Sequence, residues 1–142
     1  MDYDIREMTI DDYDEAVALW EAAEGVGLSD GDERDGVALC LERNPSLSFV
    51  ACAGNRLVGA VLCGHDGRRG YLYHLAVAGN YRNRGIGRAL VDTCLRALAT
   101  AGIRKCSIVL FSHNREAKTF WEKIGWFSRD DLHVMQKAVQ GS

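Results

Sequence analysis

The chain has 142 residues, 47% of them hydrophobic and 26% charged, enough for one domain with a real core and too few for two ordinary ones. Those fractions exclude wholesale disorder, and no stretch approaches the roughly 18 consecutive apolar residues of a membrane span. The net charge of −3 is unevenly spread: residues 1–35 hold thirteen Asp/Glu and two Arg, the remainder seven acids and fifteen Lys/Arg.

That asymmetry suits the basic part to an anion such as a phosphorylated cofactor and the acidic part to a cation. The net acidic balance argues against a nucleic-acid partner. Residues 1–142 are expected to form a single domain. The acidic opening Met1-Asp2-Tyr3-Asp4-Ile5-Arg6-Glu7 is the opposite of a signal or transit peptide, so a cytoplasmic protein without a membrane partner is expected. Five cysteines (Cys40, Cys52, Cys63, Cys94, Cys106) form no C-x-x-C pair and read as reduced core residues. His65, His74, His113 and His133 are spaced too widely for a metal cluster, so no metal is expected.

In chain order, Ile5–Met8 reads as a short strand, and Thr9-Ile10-Asp11-Asp12 has the [ST]-x-x-[DE] form of a helix start. Tyr13, Ala16, Val17 and Trp20 recur at helical spacing. The glycines from Gly25 to Gly31 predict a loop, and a second helix over Glu33–Arg43 must stop before Pro45. Strands are predicted over Leu47–Ala53, Leu57–Cys63 and Gly70–Val77, joined by turns at Gly54-Asn55 and Asp66-Gly67 into an antiparallel meander. Gly85 opens a helix in which Ile86, Leu90, Cys94 and Leu98 share one side, and Gly102 ends it. Lys105–Phe111 reads as a strand reached by a parallel crossover. Asn114 caps a last helix carrying Ala117, Phe120, Trp121 and Ile124, Gly125 ends it, and Trp126–Lys137 is predicted as one or two closing strands. The expected class is mixed α/β with the sheet in the middle. Edge strands would allow a homodimer as readily as a monomer.

The most informative stretch is Leu72-Tyr73-His74-Leu75-Ala76-Val77-Ala78-Gly79-Asn80-Tyr81-Arg82-Asn83-Arg84-Gly85-Ile86-Gly87-Arg88-Ala89-Leu90. A strand, a short loop and a helix start carry two glycines and three arginines at their junction. Unpaired N–H groups at a helix start and the helix dipole attract an anion. Glycine lets the backbone approach it, and Arg82, Arg84 and Arg88 supply charge. Leu90 stands where a dinucleotide fingerprint has its third glycine, and no G-K-[ST] of a nucleotide-binding P-loop follows.

This stretch resembles the acyl-CoA-binding motif of the GNAT N-acetyltransferase superfamily, [RQ]-x-x-G-x-[GA] after a strand ending L-x-V, with Arg82, Gly85 and Gly87 after Leu75 and Val77. About thirty residues on, Asn114 to Trp126 is similar to the family's N-x-x-A-x-x-[FL]-Y-x-x-x-G-F. The resemblance covers nearly the whole chain and is strongest to the small bacterial YpeA-like branch, akin to the ribosomal-protein alanine acetyltransferases. It implies the GNAT fold, a mostly antiparallel sheet with a splayed parallel strand pair flanked by helices. It also implies transfer of an acetyl group from acetyl-CoA to a primary amine by direct attack.

Carried over, the resemblance places the coenzyme's pyrophosphate on the backbone from Arg82 through Asn83, Arg84, Gly85, Ile86 and Gly87 to Arg88. It places the pantetheine arm along Leu75, Ala76 and Val77, with a Leu75 N–H polarising the thioester, and adds Asn114 and Trp121 as coenzyme contacts. Trp121 stands where relatives often have the tyrosine that protonates the thiolate, and Val109 where the ribosomal-protein branch has a glutamate base. Tyr71 falls at a base position of the histone-modifying branch. Strand parity places Tyr71 and Tyr73 on the side of Leu75, making them candidate wall or relay residues, and leaves His74 on the opposite face as a packed, hydrogen-bonded residue. Water and Glu24 stay open as further proton acceptors. Trp20 and Glu24 are the candidate acceptor contacts, and a small cationic molecule or a peptide N-terminus is the expected amine. A non-catalytic acyl-CoA-binding module and a regulator binding ATP through the loop are the alternatives from other classes.

Overall fold

Ile5 and its neighbours form the first strand, β1 (Asp4–Glu7), in the computed structural model, which describes residues 2–23 and 28–140. The turn after it is set locally: the Thr9 N–H donates to Asp12 Oδ2 at 2.9 Å, and the Asp12 N–H to the Thr9 carbonyl at 3.0 Å. Helix α1 (Tyr13–Ala22) follows and buries Ala16 and Trp20. Helix α2 (Arg34–Arg43) buries Val37. It stops at Asn44, ahead of Pro45, as a residue before proline must.

The middle of the chain is β2 (Phe49–Ala53), β3 (Arg56–Val61), β4 (Cys63–His65), β5 (Gly70–Leu72) and β6 (Ala76–Val77), followed after helix α3 (Ile86–Thr100) by β7 (Cys106–Ile108) and helix α4 (Arg115–Lys123). Two of the three predicted strands are each divided. Leu57–Cys63 breaks at Leu62 into β3 and β4, and Gly70–Val77 breaks at residues 73–75 into β5 and β6. The halves belong to different sheets, one ordered β1-β2-β3-β6 and the other β4-β5-β7. All pairings are antiparallel except β5 with β7, which are parallel, the crossover being α3.

The core lies on both sides of the sheets. One cluster gathers Leu90, Val91, Cys94 and Leu98 of α3 with Val58, Val61, Cys63 and Leu72, and the other gathers Ala16 and Trp20 of α1 and Val37 of α2 with Val50, Ala60 and Ala76. The predicted apolar side of α3 is fully buried, and each such leucine or isoleucine stabilises the fold by roughly 1.5–3 kcal/mol. All five cysteines are free, with Cys63 and Cys94 buried. Burial pushes the Cys106 thiol up to about 12, so it is no ready nucleophile.

One expectation fails outright. Residues 126–137 form no strand, and Phe127, Leu132, Val134 and Met135 are exposed. Among the described residues these find no partner strand, and an unpaired strand has no stability of its own in water. Among the described residues, no helix is long and apolar enough to cross a membrane.

Candidate active site

The site arises from the divided strands. Up to Leu72 the chain lies beside β7, and from Ala76 onward it lies beside β3. The Tyr73 N–H still reaches the Leu62 carbonyl at 2.7 Å, so both strands bend at the same level. The departure of β6 from β7 opens a cleft of about 710 Å³ between β6, the residues after β7, and the first turns of α3 and α4.

The backbone of β6 is aimed by its pairing. The Ala78 N–H donates to the Val58 carbonyl at 2.8 Å, and in an antiparallel ladder every second residue turns its polar groups to the partner strand. Ala76 shares that orientation, so Val77 turns its N–H and C=O groups away from β3, and both Leu75 and Val77 line the cleft. Arg82 holds that arrangement, its Nε donating to the Val77 carbonyl at 3.1 Å.

The far end of the cleft is formed by the loop before α3 and its first turn. Gly85 caps α3 in the left-handed region, at φ +82, which only glycine adopts without strain. Asn83 before it also has positive φ. The first helical bond runs from the Ala89 N–H to the Gly85 carbonyl at 3.0 Å, leaving the Ile86, Gly87 and Arg88 N–H groups without intrahelical acceptors. Asn83, Gly85, Ile86, Gly87 and Arg88 all line the cleft, as do the side chains of Arg82 and Arg115. Arg84 instead lies over the Tyr81 ring, 5.4 Å from its centroid. Asn114 caps α4, its Oδ1 accepting from the Ala117 N–H at 3.0 Å, and it too lines the cleft.

Trp121 is nearly buried, edge-on to Trp126 with centroids 4.8 Å apart, and contributes to the cleft wall. Its indole N–H can donate a hydrogen bond but exchanges no proton in this pH range.

The near end departs from the parity expectation. Tyr71 and Tyr73 do not share the side of Leu75; they stack on each other, centroids 6.4 Å apart, away from the cleft lining. The break at residues 73–75 is the reason. It resets the alternation, so that Leu72 and Leu75, three residues apart, both meet the α3-side core. Burial also raises the Tyr73 phenol above its ordinary value, disfavouring the phenolate a base would need. His74 is packed and hydrogen-bonded on the face opposite Leu75, as expected, with its ring beside Trp20 and Nε2 2.7 Å from Asp32 Oδ1, and it also contributes to the cleft lining.

Trp20 offers a substrate no surface. It is 0% exposed, and its Nε1 donates to the Ala60 carbonyl at 3.4 Å; the apolar stripe of α1 needs its bulk in the core. Glu24 lies outside the described residues, so its proposed contact has no structural counterpart. Sequence reasoning missed Asp32, His113 and Arg115 as site residues. Asp32 meets His74 across 42 residues, and no local pattern encodes such a contact. Among the described residues, no group of His, Cys, Asp or Glu could hold a metal ion.

A helix N-terminus and the strand β6 thus share one cleft. A model of the Acetyltransferase (GNAT) family matches residues 6–126. The chain is 30% identical over 136 residues to an acetyltransferase of Sodalis glossinidius, covering 96% of this chain and 95% of that protein. An acetyltransferase of Yersinia pestis is 29% identical, with 96% of each chain covered.

Among solved structures, the PaiA N-acetyltransferase of Thermoplasma acidophilum, in complex with coenzyme A, shares the fold at a TM-score of 0.78 and 19% identity, covering 92% of each chain. AAC(6')-Iy, in complex with a bisubstrate analogue, does so at 0.77 and 19%, covering 97% of this chain and 99% of that one. The chain belongs to the GNAT acetyltransferase family and is an acetyl-CoA-dependent N-acetyltransferase.

Proposed function

We propose that the cleft binds acetyl-CoA with its pyrophosphate on the backbone of Asn83–Arg88 and its pantetheine arm along Leu75–Val77, and that the acetyl group passes to a primary amine entering beside His74. One observation carries this reading: the free first-turn N–H groups of α3 and the outward backbone of Val77 share one cleft with Leu75. Arg82 and Arg115 add charge at the anion end. The thioester then falls near Leu75, whose N–H is placed to polarise its carbonyl. Direct attack needs a neutral amine, a stabilised oxyanion and a proton for the departing sulfur, all within reach of one pocket.

The amine belongs to a cationic small molecule or a peptide N-terminus. Support comes from charge: the acidic residues 1–35 supply Asp32, the partner of the cleft residue His74, while Arg82, Arg88 and Arg115 line the far end. The complex of AAC(6')-Iy with an analogue carrying acetylneamine makes aminoglycosides one class to include. Purified protein with acetyl-CoA, offered spermidine, sisomicin, an alanyl peptide or glutamate, is expected to release free thiol with at least one of the three cationic amines and less with glutamate. Preference for glutamate overturns the acceptor class. Coenzyme binding without thiol release for any amine overturns the transfer step and leaves an acyl-CoA-binding module.

A further inference from the structure

We propose that His74 is the base that deprotonates the acceptor amine, with Asp32 as the residue that positions it. The proposal rests on the cleft being the acetyl-transfer site. His74 immediately precedes Leu75, and both line the cleft, next to the point where the proposed function puts the thioester. Its Nε2 lies 2.7 Å from Asp32 Oδ1, and the two side chains are only 15% and 13% exposed. No buried side-chain nitrogen or oxygen among the described residues is left unpaired. Among the described residues the only polar contact of the His74 ring is through Nε2, so Nδ1 is left with solvent, and His74 lines the cleft.

The partner is held firmly. Asp32 Oδ2 accepts from the Ser29 N–H at 2.8 Å, and the Asp32 carbonyl accepts from the Tyr13 hydroxyl at 2.8 Å. Oδ1 is left for His74. Trp20 packs against the ring from the core side, centroids 5.3 Å apart. A carboxylate on Nε2–H fixes the tautomer, leaves the lone pair on Nδ1 and stabilises the imidazolium formed when that lone pair takes a proton. Tyr71, Tyr73 and Trp121 have no such arrangement.

The step balances as follows. Nδ1 takes one proton from the substrate ammonium, giving the neutral amine. The amine lone pair forms the C–N bond to the thioester carbon as the carbonyl π pair moves to oxygen, facing the Leu75 N–H. Collapse restores the carbonyl and breaks the C–S bond, the electron pair leaving on sulfur. The second proton on the attacking nitrogen passes to that sulfur, and His74 returns its proton to water. The products are the acetamide, free coenzyme thiol and one proton.

The test compares wild type with His74→Ala, His74→Gln and Asp32→Asn, using acetyl-CoA and spermidine, sisomicin and the alanyl peptide as amine probes. Thiol release and acetyl-CoA affinity are measured separately. Loss of the base is expected to lower kcat by roughly 10²–10⁴-fold in both His74 variants, with acetyl-CoA affinity unchanged and activity of His74→Ala partly restored by added imidazole. Asp32→Asn is expected to lower kcat with little change in the amine KM, and to add nothing in a His74→Ala background. Full activity in either His74 variant overturns the proposal, as does a fall confined to KM. A wild type active with none of the amines overturns the transfer reading and this proposal with it, whereas an active wild type with indifferent His74 variants overturns the dyad alone.

Discussion

Gly85 and Arg82 show how single residues set the anion end of the cleft. A Cβ at Gly85 would meet nothing within 4 Å, so bulk is not what the site forbids. The cost is conformational: a non-glycine residue in the left-handed region loses roughly 1–2 kcal/mol. Gly85→Ala therefore tests strain alone, while Gly85→Glu adds a negative charge where a diphosphate is proposed. Calorimetric titration with acetyl-CoA is expected to show modest weakening for the first and no measurable binding for the second; equal affinities would refute the cradle. Arg82 has two tasks, since its Nε fixes the Val77 carbonyl while its charge faces the cleft. Arg82→Ala is expected to cost about 1–3 kcal/mol of coenzyme affinity, the range for a charged hydrogen bond.

At the scale of elements, the position of α3 decides where the cradle sits relative to β6. The helix rests on β3 at Gly59, where an added Cβ would lie 3.0 Å from Leu90 Cδ1 and 3.3 Å from Ile86 Cγ2. Ile86 is the first residue of α3, so pushing there moves the cradle itself. Gly59→Val is expected to lower stability by about 1–3 kcal/mol through overpacking and to weaken coenzyme binding although it touches no ligand. Thermal unfolding and titration check the two effects; lost stability with intact binding would mean that the helix adjusts without shifting its first turn.

The molecule as a whole is two core clusters sharing two sheets, and within the acidic N-terminal part a charge pair ties β1 to the turn that opens α1. Arg6 donates to both oxygens of Asp12, at 2.9 and 2.8 Å. The hydrogen bonds from Arg6 outweigh burial and hold the Asp12 carboxyl below its ordinary value, with the Thr9 N–H assisting. A carboxyl lowered on folding contributes stability that is complete above its unfolded value, about 3.9. That contribution is lost as pH falls through the lower folded value. Asp12→Asn is expected to cost about 1–2 kcal/mol at neutral pH, the smaller end of the range because Arg6 is half exposed, and to flatten the acid limb of stability against pH. An unchanged acid limb would show that other carboxyls carry it.

What local chemistry encodes was legible before any tertiary contact was known. The Thr9–Asp12 turn, the stop before Pro45, the buried side of α3, the Asn114 cap and the glycine that opens the anion cradle all depend on neighbours within about one helical turn. The fold family followed from the order and spacing of two such motifs. Tertiary structure alone decided where the strands divide. Leu62 and residues 73–75 sit in apolar runs that read as continuous strands, and only pairing with two different sheets breaks them. That break turns Tyr71 and Tyr73 away from the side of Leu75. It also places His74 against Asp32, a meeting fixed by the packing of distant segments rather than by any spacing along the chain. The unpaired stretch 126–137 is the converse case, because a segment becomes a strand only when an edge is there to receive its hydrogen bonds.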